Sequence, residues 1–350
     1  MVFAVLVVLL SSSIVALLSE NISPKNTKKI YLIFFLILTV VAGFRDGETM
    51  PDYEVYQGLY SRVNSFVFLY FIEISFIFIA KLSFLIISGN PIVLFVIYAI
   101  LGVSLKMYFI KKISNLCFYS LVIYISNYYI IHEMIQIRAG VATAFIFLSI
   151  ISLYNNERKS FLILMGCAFL FHYSSIIFLL LWFLKSNKYN KILYVSLIPI
   201  AYLMHYSGTD PISLIVKALP SDLVSLKGAY LDKERSGRLA INVLGIFILT
   251  RVFILFYFTF FVNQIKKYNK YIFILLKFYT LGVFAYIAFA KYPEFAVRIS
   301  YTLMIGEIII VPTLIYTIKG YYLPRLIVIL YGVLAFLLNV YFTTYFNFSY

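Results

Sequence analysis

The chain has 350 residues, of which 63% are hydrophobic and only 12% charged, with a net charge of +15 and a mean hydropathy of +0.97. A water-soluble domain needs a polar coat, with roughly a quarter of its residues charged, so a soluble fold is excluded. The missing ten-residue alternation argues against a β-barrel. The basic excess does not point to nucleic acid, because it is split into small clusters between apolar runs, where cytoplasmic loops carry it.

These runs predict an all-α, polytopic membrane protein, a single transmembrane domain over residues 1–350. Val2–Leu18 has no basic stretch before it and no small-residue cleavage site after it, so it reads as a span and not as a signal peptide. Further spans are expected near 30–44, 90–110, 115–131, 136–153, 192–206, 241–263, 271–290, 299–318 and 326–344, about ten transmembrane helices together. Cys117 and Cys167 fall inside apolar runs, which speaks against a disulfide or a zinc site.

Two apolar segments are read differently. Residues 66–88 contain Glu73 and Lys81 and follow a polar stretch; charges within a span are costly, so an interfacial helix is expected. Residues 161–184 are broken by Phe171-His172-Tyr173-Ser174-Ser175 and flanked on both sides by basic residues. A single crossing would put one basic cluster outside. A re-entrant hairpin turning at His172 keeps both inside, with arms of about 11 residues, or about 16 Å of helix. With that hairpin and the N-terminus outside, every short basic cluster lies in the cytoplasm. Apart from Glu20, Glu157 and Glu307, the acidic residues then face outward, so chemistry is expected on the extracytoplasmic side, with loops near 45–65 and 207–240.

Four outward stretches carry the candidates. Residues 44–56 are dense in charge and include Arg45, Asp52, Tyr53 and Tyr56. Residues 128–140 hold His132, Glu133, Gln136 and Arg138, at spacings that let at least two share one helix face. The hairpin tip presents His172, and residues 291–298 end in Arg298. Arg45, Arg138 and Arg298 suit a diphosphate, since guanidinium forks match phosphate oxygens and keep their charge. The competing reading is that such arginines snorkel to headgroups. A histidine or carboxylate nearby can take a proton from a sugar hydroxyl, and His172, Asp52 and Glu133 are the candidates. Arg251 and Lys277 lie within spans and can pair with Glu307 or face a cavity. No metal site and no cofactor are indicated.

At these residues the sequence resembles the EpsG/Wzy family of exopolysaccharide and O-antigen polymerases. The first outer loop reads Arg45 … Gly47 … Asp52-Tyr53 … Tyr56, with residues 48–51 inserted. Gln136-x-Arg138-Ala139-Gly140, the Phe-His-Tyr-Ser box at 171–174 and Arg298 follow in family order. The resemblance implies a glycosyltransferase that joins undecaprenyl-diphosphate-linked oligosaccharide repeat units into O-antigen, capsular or exopolysaccharide. It would do so at the outer face of the bacterial inner membrane. Arg45, Arg138 and Arg298 would bind diphosphate, Tyr53, Tyr56 and Gln136 would position substrate, and one of His172, Asp52 or Glu133 would be the base. Expected partners are the lipid-linked substrates, membrane lipids and a chain-length regulator. Two rivals use similar parts. A flippase or exporter of lipid-linked oligosaccharide needs charges at several depths, whereas most charge here lies at the outer face. A membrane acyltransferase needs its histidine near the cytoplasmic side.

Overall fold

The computed structural model describes residues 1–47, 50, 52–63, 72–184, 188–208 and 241–341. Most of the expected 207–240 loop, and residues 48, 49, 51, 64 and 65 of the first loop, lie outside them. The regular structure among the described residues is helical throughout. Among the described residues six helices are long and apolar enough to cross a membrane: Val2–Asn21, Pro24–Gly43, Ile92–Ile113, Ile137–Asn155, Pro293–Tyr316 and Tyr322–Tyr341. Shorter apolar helices include Lys191–Tyr206, Ile246–Phe260 and Ile272–Ala288. The chain is therefore an all-α, multi-pass membrane protein, and each expected span has a helix at its place in the sequence. The chain packs into two compact units, residues 1–184 with 311–350, and residues 185–310.

In the first unit α1 (Val2–Leu18) is followed by α2 (Pro24–Gly43), which starts where Ser23 caps the amide of Asn26 and Pro24 presets the first turn. Next come the short α3 (Tyr53–Ser61), α4 (Ile74–Ile86) and the long α5 (Ile92–Ile113). The next segment begins as α6 (Cys117–Tyr124) and widens into a π-helix over Ile125–Ile135. After the single residue Gln136, α7 (Ile137–Asn155) packs back against it. Gly140 permits that closeness, because a Cβ there would overlap the carbonyl of His132. Gly140→Ala is expected to cost about 1–3 kcal/mol as an overpacking change against backbone, read as a lowered midpoint of thermal unfolding in detergent.

The chain turns back at His172 as a hairpin, with one correction to its arms. Asn156 closes α7 in the left-handed conformation (φ 58°), which asparagine tolerates, and α8 (Arg158–Phe171) follows at once. His172 is extended, and the chain returns as a 3-10 helix over Tyr173–Phe183. Phe161 near the start and Trp182 near the end have ring centroids 5.3 Å apart, so the two arms lie side by side in opposite directions. The arms hold 14 and 11 residues, yet at about 1.5 and 2.0 Å per residue they come to about 21 and 22 Å. The hairpin is thus longer than the half-bilayer expected. The 3-10 arm buries Ser175, Phe178 and Leu181, three residues apart, which a three-residue turn stacks on one face.

In the second unit Arg251 lies over the Phe247 ring at 3.6 Å, with its Nε 3.9 Å from Glu307. Lys277 stands 5.6 Å over the ring of Tyr194.

Candidate functional site

The polar centre of the first unit is Glu73, an outward-facing residue that the sequence alone does not single out as a site candidate. Residues 66–71 lie outside the described residues, and α4 begins directly after Glu73. Lys81 is exposed, but Glu73 is buried, with one carboxylate oxygen on the Arg138 guanidinium and the other 3.0 Å from His172 Nδ1. The Glu73 side chain is only 7% exposed, whereas Arg138 and His172 are each 22% exposed, so the two outer members reach open space. Burial pushes the Glu73 carboxyl up, but the His172 hydrogen bond and the Arg138 charge outweigh it and hold the group below its ordinary range. An ionised carboxylate only accepts hydrogen bonds, so His172 Nδ1 carries the proton toward it. In the neutral imidazole, Nε2 is then left with its lone pair.

The Phe-His-Tyr box explains how a helix break is held at this point. Phe171 packs on Tyr98 and Phe145, with centroids 5.9 and 5.8 Å away. Tyr173 donates its hydroxyl to the carbonyl of Ile72 at 3.0 Å. The box therefore grips the chain on either side of His172 and grips the residue beside Glu73 as well. An irregular backbone at membrane depth needs such partners.

Aromatic rings extend the site toward Arg45. The Arg138 guanidinium stands 5.5 Å from the Tyr56 ring and 5.6 Å from Phe76. Tyr56 meets Phe95 edge-on at 6.3 Å, and Arg45 lies 4.4 Å over Phe95. Arg45 donates to the carbonyl of Met134 at 2.7 Å, while its Nε and Nη2 are buried with no hydrogen-bond partner. Burial lowers the Arg45 guanidinium to about 10, so it stays charged at neutral pH. A buried guanidinium with unused donors in a fixed fork is suited to an anion.

Glu133 is placed elsewhere. The sequence predicts one helix through Glu133, Gln136 and Arg138; the break at Gln136 instead places Glu133 and Arg138 in different helices. Glu133 forms an ion pair with Lys106 and accepts from the Tyr124 hydroxyl at 2.9 Å. Lys106 also donates to the carbonyl of Gly140 at 2.9 Å. Glu133 and Lys106 are both closed to solvent. Space for this carboxylate exists because Gly102, one turn before Lys106, has no Cβ to overlap it. His132 is likewise buried.

Three further sequence candidates belong to the same unit. Tyr53 is half-buried, packing on Phe95 at 5.0 Å and over Gly47. Asp52 is half-buried at the N-cap position of α3, and Gln136 is half-buried at the start of α7. Arg298 belongs to the second unit, where its exposed side chain pairs with Glu294 at 3.2 Å. The structure thus joins His172, Arg138, Tyr56 and Arg45 through Glu73 and the rings, and sets Glu133 in a pair of its own. The sequence did carry a signal for Glu73 and Lys106, since each is an ionisable residue inside an apolar run, the usual mark of an intramembrane site.

Compared with known proteins, the chain matches the model of the EpsG family over residues 28–350. No curated protein and no solved structure matches it.

Proposed function

The chain belongs to the EpsG family, the family of Wzy-type polysaccharide polymerases, and on that premise we propose that it joins undecaprenyl-diphosphate-linked oligosaccharide repeat units at the outer face of the bacterial inner membrane. The observation that carries the reading is the Arg138–Glu73–His172 constellation at a helix break, beside the buried Arg45 with unused donors. Glu73 holds the Nδ1 proton of His172, and Nε2 takes the proton of the acceptor sugar hydroxyl. The acceptor oxygen forms a bond to the anomeric carbon of the donor glycan as the bond from that carbon to the diphosphate breaks. Arg138 and Arg45 stabilise the negative charge that builds on the departing lipid diphosphate, an electrostatic role of large effect. Arg298 enters this proposal through its place in the family pattern. Half-buried Tyr53 offers a ring face for sugar, whereas Tyr56, buried at 4% exposure, holds Arg138 against its ring instead of meeting sugar. Asp52, half-buried at the start of α3, is a contact for the acceptor, and the closed Lys106–Glu133 pair is assigned to structure.

The test is glycan length on cells lacking the gene, complemented with wild type, Arg138→Ala or His172→Ala, with membrane levels measured in parallel. The deletion is expected to leave surface glycan at a single repeat unit, and wild type to restore the ladder. Either variant is expected to fail at normal membrane level, since general-base catalysis alone contributes about 10²–10⁴-fold. Repeat units trapped at the cytoplasmic face would instead make the protein a flippase, and an unchanged ladder would remove both readings.

A further inference from the structure

Far from this site, α2 and α5 leave a second feature that the polymerase chemistry does not use. At the ends that carry Lys28 of α2 and Lys111 of α5, the two helices frame a groove of about 390 Å3. Leu32 and Phe35 line it from α2, and Met107 and Tyr108 from α5. Beneath them the Tyr31 hydroxyl donates to the carbonyl of Met107 at 2.9 Å, which ties the helices together and gives the groove a fixed floor. Lys111 lies sixteen residues beyond Phe95 of the candidate active site, or about 24 Å along α5. The groove is therefore distinct from that site.

Its lining is divided by chemistry. One stretch is apolar, formed by Leu32, Phe35 and Met107, while Lys28 and Lys111 mark the end nearest the start of α2 and the close of α5. Both lysines are exposed, and among the described residues neither is paired with a carboxylate. Lys111 is held 5.7 Å over the Tyr31 ring, and the neighbouring Lys112 donates to the Tyr108 hydroxyl at 3.1 Å. The ring contact holds Lys111 at the mouth without neutralising its charge. A fixed apolar trough with an unneutralised cationic end matches a molecule with an acyl chain and an anionic headgroup. The charge rule puts this end at the cytoplasmic leaflet, where basic clusters between helices meet anionic lipid.

We propose that this groove is a binding site for an anionic phospholipid, with its phosphate between Lys28 and Lys111 and part of one acyl chain over Leu32, Phe35 and Met107. The inference is independent of the reaction carried out at the other end of α5.

The full-length protein, purified in detergent, is titrated with phosphatidylglycerol and phosphatidylcholine, and bound lipid is counted by native mass spectrometry. Wild type is expected to retain phosphatidylglycerol in preference. Lys28→Gln/Lys111→Gln is expected to reduce that preference about tenfold or more, because each lysine near an anionic headgroup contributes about a factor of five. Lys25→Gln/Lys29→Gln removes the same charge outside the groove and is expected to change it far less. Leu32→Trp, which fills the trough without altering charge, is expected to lower retention of phosphatidylglycerol. No preference in wild type, an equal drop in the two double variants, or full retention by Leu32→Trp would each overturn the site.

Discussion

Neutralising either member of the Lys106–Glu133 pair is expected to destabilise the protein by about 3–5 kcal/mol, and neutralising both to return most of that loss. The reason is the closure of the pair. Glu133→Gln leaves the Lys106 ammonium buried without a counter-charge, and Lys106→Met leaves the carboxylate in the same position. In the double variant Lys106→Met/Glu133→Gln, no buried charge remains, and the residue at 133 can still accept from Tyr124. The pair joins α5 to the π-helix and, through the carbonyl of Gly140, to α7. Those are the elements that hold Arg45, through Met134, and Arg138. Folded protein and polymer length are therefore expected to fall together in the single variants and to recover together in the double. Thermal unfolding in detergent and the glycan ladder read the two quantities. A double variant that folds normally and yet makes no polymer would identify Glu133 as the base after all and remove that role from His172.

The second large effect is at Glu73. Glu73→Ala is expected to lower transfer by about 10²-fold or more, because it frees the His172 tautomer and deprives Arg138 of its partner. Glu73→Gln keeps an acceptor for the Nδ1 proton and is expected to fall between alanine and wild type. Because the folded carboxyl lies below its ordinary range, the contribution of its charge is complete above the unfolded value of about 4.3 and fades only as pH drops through the lower folded value. Lowering the pH from 7 to 5 is accordingly expected to leave Glu73 ionised. The difference in thermal-unfolding midpoint between wild type and Glu73→Gln, followed in detergent from pH 7 to 5, would read this, and Glu73→Ala transferring at wild-type rate with normal membrane level would remove Glu73 from the mechanism.

Much of the fold was legible without coordinates, and for one reason. A backbone in hydrocarbon has to satisfy its own polar groups, so a chain 63% hydrophobic with short basic interruptions has few solutions besides a helical bundle. The bias of basic residues toward the cytoplasm exposed the hairpin: basic residues on both sides of 161–184 leave the turn at His172 as the way to keep them on one face. The sequence likewise indicated Arg45, Arg138 and His172, because charged groups close to apolar runs are costly and therefore conspicuous.

Pairing was decided by tertiary structure alone. Glu73 is 65 residues from Arg138 and 99 from His172, and no local spacing rule reaches across that separation. Gln136 breaks the helix, so residues expected on one continuous helix are divided, and Glu133 is separated from Arg138. Nor does the uniformly apolar stretch 173–183 announce a 3-10 arm, since every period is equally apolar there. What the sequence by itself determined was the solvent in which this chain folds and the residues too costly to be idle in it. Which of those residues meet was determined by close packing, in which Gly102 and Gly140 admit a neighbour that no Cβ would allow.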